Sequence, residues 1–419
     1  MLRISAYLVM MGNIWSANII LVGIMRKMYQ NECLVDYNCL LFFICLCFFS
    51  ACKEEQENST VEVIKITLLE KSNIYIPADS IFESAEYIAL ETTEDNLLSG
   101  LESLSVQLQH DTLYIWDRDQ QELSQYDEQG RYLQKLSRRG NGPGEYISVS
   151  DFVVLDTMVC LLAGANKKIM FYRKSDFSHV GDLKIPINVS RMKFYEGFLY
   201  LYSGLLSSEY YNMYVMDIHR GKILSRYKPY QQEWKGTVYS RTIFNKSTAY
   251  NYYTEPYNYH IYEAMPDGDS VVFRLDFGKE NMYDSEFLLL SPSAKRIYLQ
   301  ERYSDPSDRL ISGIDNLYFS DQMRFFTFTF GTQPYWYINI KGKAPMAGYI
   351  CTSKKFPWVS AQVHSIDEDN IYSLESADYV CEWKERLAGT DWIENVPEWL
   401  LSKIKFDDNP VLCRYKLKK

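Results

Sequence analysis

Apolar and polar residues alternate along most of this chain in short runs, with the two-residue period expected of β-strands. The first clear run is residues 61–68, in which five of the eight side chains are apolar. Two stretches instead predict short helices: residues 293–303, which lie between two prolines, and residues 396–404, which carry Pro397 at the first helical position. The pattern therefore predicts a β-rich chain with short helical insertions.

One sequence unit recurs six times along the chain. It consists of a short polar turn followed by a strand whose central residue is tyrosine in five of the copies. The equivalent positions are Tyr114, Val159, Tyr200, Tyr262, Tyr318 and Tyr372. They are separated by 45, 41, 62, 56 and 54 residues, which is the length of one propeller blade, with insertions in the later units.

A second turn follows within most of these units and joins two further strands. It lies within residues 126–133, 215–224, 264–271 and 338–342. Two hairpins per unit make a four-stranded antiparallel sheet. The sequence therefore predicts an all-β fold, a six-bladed β-propeller. The strand-like residues 410–417 at the end of the chain are expected to complete the blade that begins near the N-terminus.

The first 51 residues have a different character. Residues 40–49 are an unbroken apolar run, too short to span a bilayer, and they end at Cys52 after two small residues. We interpret residues 1–51 as an export signal, residues 52–60 as a polar tether and residues 61–419 as the propeller.

The true start of translation is open between Met1, Met25 and Met28. Arg26 and Lys27 would supply the positive start of the signal if translation begins at Met25 or Met28. Residues 1–24 would then be an extension that the protein lacks. The alternative is a transmembrane helix over residues 6–24.

Charge and cysteine spacing narrow the classes of ligand. The net charge is −10 and no long basic run occurs, so nucleic acid is not an expected partner. Four cysteines follow Cys52, at positions 160, 351, 381 and 413, and their spacing matches neither a zinc site nor a disulfide scaffold. We therefore expect buried thiols, no metal and no cofactor.

A basic, glycine-rich stretch at residues 138–146 separates the first two units. Its alternating glycines are not a dinucleotide motif, because the following residues 146–154 are strand-like and no helix opens there. We interpret the stretch as a joint between blades in which Glu145 accepts hydrogen bonds from backbone amides. Alternatively, Arg138 and Arg139 bind a carboxylate, sulfate or uronate group.

The densest aromatic stretch, residues 250–262, contains seven tyrosines. Exposed tyrosines beside amide and carboxylate groups are typical of surfaces that stack sugars or dock peptides. The candidate ligand-binding residues there are Tyr250, Tyr252, Glu255 and Tyr257. Tyr259 and Tyr262 are expected to pack between blades, and Trp336 is a weaker candidate of the same kind.

A catalytic activity has no local signature in this sequence. The motifs HExxH, GxSxG and CxxC are absent, and the five histidines are scattered. The acidic groups near Asp117 and Asp367 could bind calcium or act as paired carboxylates, but turn formation is the simpler explanation. The sequence therefore favours a protein that is not an enzyme, although a propeller can assemble a site from one residue per blade.

Several short stretches together resemble a known family. They are residues 87–93, 138–146, 253–256 and 408–412. With them, residues 61–417 resemble the six-bladed β-propeller lipoproteins of Bacteroidetes, which are relatives of NHL- and TolB-like propellers. The residues before Cys52 resemble a lipobox, and the Lys-Glu-Glu that follows resembles an acidic surface-export tag.

The resemblance implies a lipid anchor on Cys52 and an outer-membrane protein that faces outward. The expected function is a ligand-binding or scaffolding module for a glycan, a peptide or a partner protein in a nutrient-uptake complex. The alternative is an envelope polysaccharide hydrolase or lyase with its site at the mouth of the propeller channel.

Overall fold

The computed structural model describes residues 61–68, 75–235, 242–303, 310–331, 333–390 and 396–419. The expected signal, the tether and Cys52 lie outside these residues. The described chain begins with β1 (Glu62–Lys65), β2 (Tyr75–Pro77), helix α1 (Ala78–Ile81) and β3 (Phe82–Ala89).

The first three blades follow one another along the chain. Blade 1 contains β4 (Leu104–Gln109), β5 (Thr112–Asp117), β6 (Glu122–Tyr126) and β7 (Tyr132–Leu136). Blade 2 contains β8 (Asp151–Val154), β9 (Met158–Ala163), β10 (Lys168–Arg173) and β11 (His179–Lys184). Blade 3 contains β12 (Arg191–Tyr195), β13 (Phe198–Tyr202), β14 (Tyr211–Asp217) and β15 (Lys222–Pro229).

The last three blades carry the helical insertions. Blade 4 contains residues 242–247 as its innermost segment, then β16 (Tyr252–Tyr253), β17 (His260–Met265) and β18 (Gly268–Asp276). After helices α2 (Ser285–Leu289) and α3 (Pro292–Tyr303), blade 5 contains β19 (Ile311–Phe319), β20 (Met323–Phe330), β21 (Gln333–Ile340) and β22 (Met346–Cys351). Blade 6 contains β23 (Ser365–Ile366), β24 (Asn370–Glu375), helices α4 (Ala377–Leu387) and α5 (Glu398–Lys403), and β25 (Val411–Leu417). The six-bladed propeller of four-stranded antiparallel blades is confirmed.

The first two described strands, β1 and β2, pair with outer strands of the ring, and β3 then closes the ring. β1 pairs in parallel with the outer strand β18 of blade 4, and β2 pairs in parallel with β22 of blade 5. β3 then pairs antiparallel with β25 and becomes the outermost strand of blade 6. Since the other strands of that blade come from the C-terminal end, the two ends of the chain share one sheet, as the sequence predicts.

Two repeat units lie on different strands from those their sequence suggests. In four blades the repeated position lies on the second strand, whereas Tyr262 lies on β17, the third strand of blade 4, and Tyr318 lies on β19, the innermost strand of blade 5. The polar pair at residues 315 and 316 forms an irregularity within β19 instead of a turn, and Asn316 takes a φ of 54° there. The true turn follows at residues 320–322.

The predicted helices at residues 293–303 and 396–404 are present as α3 and α5, while α1, α2 and α4 were not predicted. Cys160 and Cys413 are buried, as expected, but Cys351 and Cys381 are only half-buried. Aromatic rings also pack within a blade: Phe82 of β3 stacks on Tyr415 of β25 in blade 6, with ring centroids 4.9 Å apart.

The two faces of the ring differ in the length of their connections. In an antiparallel blade, the turns after the first and third strands lie at one edge, which we call the lower face. No connection there, among the described residues, exceeds the five residues of segments such as 341–345. The opposite edge, the upper face, carries the long connections 137–150, 277–310, 352–364 and 376–410, and with them helices α2 to α5.

Candidate functional site

The innermost strands of the six blades surround a central cavity of about 740 Å³. Its walls come from β4, β8, β12, residues 242–248, β19 and residues 361–366. The lining combines apolar side chains with hydroxyl and amide side chains, among them Ser105, Gln107, Ser150, Thr242, Thr248, Asn316, Thr327 and Thr329. The volume is within the range of about 300–1,000 Å³ that is usual for small-molecule sites.

Polar side chains on the inner strands bind the backbone of the next blade. The Gln107 side chain of blade 1 donates to the Phe152 carbonyl at 2.6 Å and accepts from the Val154 amide at 3.0 Å. Asp151 of blade 2 accepts a hydrogen bond from the Met192 amide of blade 3 at 2.8 Å. These bonds fix the spacing of the inner strands, so the channel wall is preorganised.

Lys193 makes the same kind of connection from blade 3 to blade 4. Its Nζ donates to the carbonyl oxygens of Asn245 at 2.9 Å, Ser247 at 3.3 Å and Tyr250 at 2.9 Å. An ammonium group has three N–H donors, and here each has an acceptor. Burial lowers the pKa of Lys193, an effect that the three carbonyl acceptors oppose. We assign Lys193 a structural role.

Lys246 lies on the inner segment of blade 4 and is only partly hydrogen-bonded. Its Nζ donates to the His364 carbonyl of blade 6 at 3.0 Å, and no second hydrogen-bond acceptor for it occurs in the described part of the chain. Burial lowers the pKa of Lys246 to about 8, with the Asp315 carboxylate acting in the opposite direction. Lys246 therefore places a cation with spare donors in the wall of the cavity.

Two half-buried carboxylates of the channel, Asp151 and Asp315, bind neighbouring inner segments. Burial raises the pKa of Asp151 to about 6, and the Arg191 guanidinium and the Met192 amide oppose that shift. Asp315 accepts from the Thr242 hydroxyl at 3.2 Å. Arg191 itself donates to the carbonyl oxygens of Ser150 at 3.0 Å and Ser190 at 2.7 Å. These groups hold the blades together.

The glycine-rich joint lies on the upper face, outside the cavity. Arg138 and Arg139 are exposed there. Glu145 accepts a hydrogen bond from the Gly142 amide at 2.7 Å, in agreement with its expected role in the joint. Gly144 takes a φ of +68°, and a Cβ atom on it would lie 2.6 Å from the His179 ring. The glycines are thus required by the shape of the joint.

The tyrosine-rich candidates do not converge on one surface. Tyr250 and Tyr252 stack at 4.8 Å beside the lower face, where the Tyr250 hydroxyl donates to Asp321. Glu255 and Tyr257 lie on the upper face between β16 and β17. Glu255 accepts from the Asn212 amide at 3.3 Å, and Tyr257 contacts Phe287 of α2.

Three other aromatic residues are core residues. Tyr259 and Tyr262 are buried, as expected. Trp336 is fully buried, and its Nε1 donates to the Ala361 carbonyl at 2.9 Å. Trp336 therefore presents no ring face to a surface ligand.

Sequence reasoning missed Lys246 because a lone lysine in a strand forms no local motif. The available signal was the alternation of Thr242, Phe244 and Lys246, which places all three on one face of an inner segment. Only the ring of blades brings that face opposite His364.

The described residues contain no group of three or more His, Cys, Asp or Glu side chains arranged to hold a metal ion. Among the helices that could be searched there, none is both long and apolar enough to cross a bilayer.

Comparison with known proteins places the chain in a family. Residues 61–416 match the family described as Domain of unknown function (DUF4934), and the chain belongs to that family. No curated protein matches the sequence.

Two solved structures from Bacteroides are similar to this chain. One is a Bacteroides fragilis protein provisionally described as exported; it is 18% identical, with a TM-score of 0.68, and the match covers 85% of this chain and 100% of that one. The other belongs to the duf4221 family of Bacteroides vulgatus; it is 10% identical, with a TM-score of 0.46, and the match covers 80% of this chain and 97% of that one. The first supports the propeller fold.

Proposed function

We propose that this member of the DUF4934 family is an exported, surface-exposed lipoprotein of the outer membrane whose propeller binds a ligand at the upper mouth of its channel. The Cys52 lipid would anchor it, and the tether of residues 52–60 would separate propeller from membrane. The fold shared with a Bacteroides protein described as exported supports this cellular location. So does the resemblance to the NHL- and TolB-like lipoprotein propellers.

The asymmetry between the two faces carries the binding proposal. Long connections and helices α2 to α5 lie on the upper face, while the described connections between strands on the lower face are turns of at most five residues. Binding residues are disproportionately found on loops that a rigid scaffold positions. The ligand would be a glycan, a peptide or a partner protein of an uptake complex.

Binding is favoured over hydrolysis or lyase chemistry by the state of the channel carboxylates. A glycosidase needs two carboxyl groups that can reach the substrate. Asp151 and Asp315 instead bind Met192 and Thr242 of neighbouring inner segments. These bonds make the two acids part of the wall.

The binding proposal is tested with glycan and peptide arrays probed by the chain from residue 52 onward carrying Cys52→Ala. We expect at least one class of ligand to bind. The double change Arg138→Ala and Arg139→Ala on the upper face should weaken that binding, whereas Arg220→Ala in the exposed 218–221 turn of the lower face should not. A wild-type chain that binds no probe, or loss of binding with Arg220→Ala alone, would contradict the proposal.

The anchor is tested separately in cells. Cys52→Ala should abolish labelling with palmitate and release the protein from membranes, because the thiol is the proposed site of lipid attachment. Retention of the unlabelled variant in the membrane would point to a helix within residues 6–24 instead.

A further inference from the structure

We propose that the central channel binds the carboxylate of a uronic-acid-containing glycan, with Lys246 as the cation that receives it. The inference rests on the proposed function, because it assigns the proposed ligand to the propeller channel. It adds the class of ligand and the residue that selects it.

The first step is the incomplete hydrogen bonding of Lys246. Its ammonium has three donors, and the His364 carbonyl accepts one of them at 3.0 Å. Lys193, one inner strand away, shows what a purely structural lysine looks like here, with three carbonyl acceptors within 3.3 Å. Lys246 thus retains donors that a ligand could use.

The second step is the set of charges around Lys246. Asp315 is the carboxylate that acts on it, and Asp315 already accepts from the Thr242 hydroxyl. The His364 ring accepts from the Leu374 amide through Nδ1 at 3.2 Å, and its backbone carbonyl accepts from Lys246. A ligand carboxylate would bring a second anion to this half-buried cation and satisfy its donors.

The third step is the chemistry of the rest of the wall. Serine, threonine, asparagine and glutamine side chains alternate there with apolar side chains, and the half-buried Phe194 and Phe244 add aromatic surface. Hydroxyl and amide groups complement the hydroxyls of a sugar, and aromatic rings offer flat contact area. The cavity of about 740 Å³ is large enough for a short oligosaccharide. A carboxylated sugar therefore finds polar partners for its hydroxyls and apolar surface for its ring beside the Lys246 ammonium.

The experiment is isothermal titration calorimetry at pH 7 on the chain from residue 52 carrying Cys52→Ala. The probes are digalacturonate and the matched neutral disaccharide of galactose. The variants are Lys246→Met, Lys246→Arg and, as a surface control, Lys222→Met. Thermal melting of each variant checks that it is folded.

We expect digalacturonate to bind more tightly than the neutral disaccharide. Lys246→Met should weaken the binding of digalacturonate by about ten- to a hundredfold, because one charge-assisted hydrogen bond is lost. Lys246→Arg should retain most of the affinity, and Lys222→Met should retain all of it. If Lys246→Met is unstable, the Lys246→Arg result and the preference for the acidic sugar carry the test.

Equal affinity of wild type and folded Lys246→Met for digalacturonate would overturn the inference. So would tighter binding of a peptide carboxylate that also depends on Lys246, since the ligand would then not be a glycan. If the arrays find a ligand that binds independently of Lys246, the proposed function stands and only this inference fails. If the wild type binds no probe in either format, both fail.

Discussion

The Asn409 side-chain amide donates a hydrogen bond to the Glu91 carbonyl at 2.9 Å, joining the segment before the last strand to the segment after β3. Asn409 also donates to the Asn96 carbonyl at 3.1 Å and accepts from the Leu98 amide at 2.8 Å. Two of the stretches that suggested the family, residues 87–93 and 408–412, thus meet where the ring closes.

Asn409→Ala should lower the free energy of unfolding by about 2–4 kcal/mol, because it leaves buried backbone groups without partners. Asp407→Ala, an exposed position in the same turn, is the matched control and should change stability by less than about 0.5 kcal/mol. Urea denaturation of both variants measures the difference. Equal stability of the two would show that Asn409 does not hold the ring closed.

The joint between blades 1 and 2 should not tolerate a side chain at Gly144. Gly144→Ala combines a φ of +68° with a Cβ placed 2.6 Å from His179, and should cost about 1–3 kcal/mol. Gly181→Ala, where a Cβ would meet nothing within 4 Å, is the control. Thermal melting should separate the two; a neutral Gly144→Ala would mean that the joint can relax.

Burial of Glu375 should make stability depend on pH. Burial raises the pKa of its carboxyl from 4.5 to about 7, and its Oε1 has no hydrogen-bond partner. Because the folded state holds this proton more tightly than the unfolded state, stability falls as pH rises from about 4.5 to 7. The difference in unfolding free energy between wild type and Glu375→Gln should shift by about 3 kcal/mol against the wild type over that window.

Urea unfolding at several pH values measures that shift. Glu385→Gln on the exposed face of α4 is the control, and it should leave the wild-type pH dependence in place. If the unfolding free energies of the wild type and Glu375→Gln change in parallel with pH, the assignment of the pH dependence to Glu375 is contradicted.

Binding of an acidic sugar should weaken above pH 8. Burial lowers the pKa of Lys246 to about 8, and only the charged form attracts a carboxylate. Affinity for digalacturonate should therefore be nearly constant up to pH 8 and then fall by about tenfold per pH unit. Lys246→Met removes the titrating group, so its weaker affinity should not change over the same range. A wild-type affinity that is flat between pH 7.5 and 9.5 would contradict the assignment.

The ring could be predicted from the sequence because its signals are local. The unit of a polar stretch and a following strand recurs six times, with tyrosine in five copies, and the hairpin turns at residues 126–133 and 264–271 lie where their sequences place them. Helix α4 was not predicted, although residues 377–387 place Val380, Trp383 and Leu387 on one face. The strand-like residues that precede it favoured the prediction of a further strand.

The site could not be predicted in the same way, because the channel takes one or two residues from each blade. Lys193 and Lys246 look alike in sequence, each a lysine within an inner strand or segment. Their roles differ only because three carbonyl oxygens lie beside one and a single carbonyl lies beside the other. Likewise, residues 250–262 look like one patch but are divided between two faces by the direction of the strands.

A crystal structure of the chain grown with saturating digalacturonate tests the central claim most directly. The account predicts a sugar in the central cavity with one carboxylate oxygen about 3 Å from Lys246 Nζ. A sugar bound outside the cavity, or a cavity without sugar in crystals whose protein binds digalacturonate in solution, would contradict it.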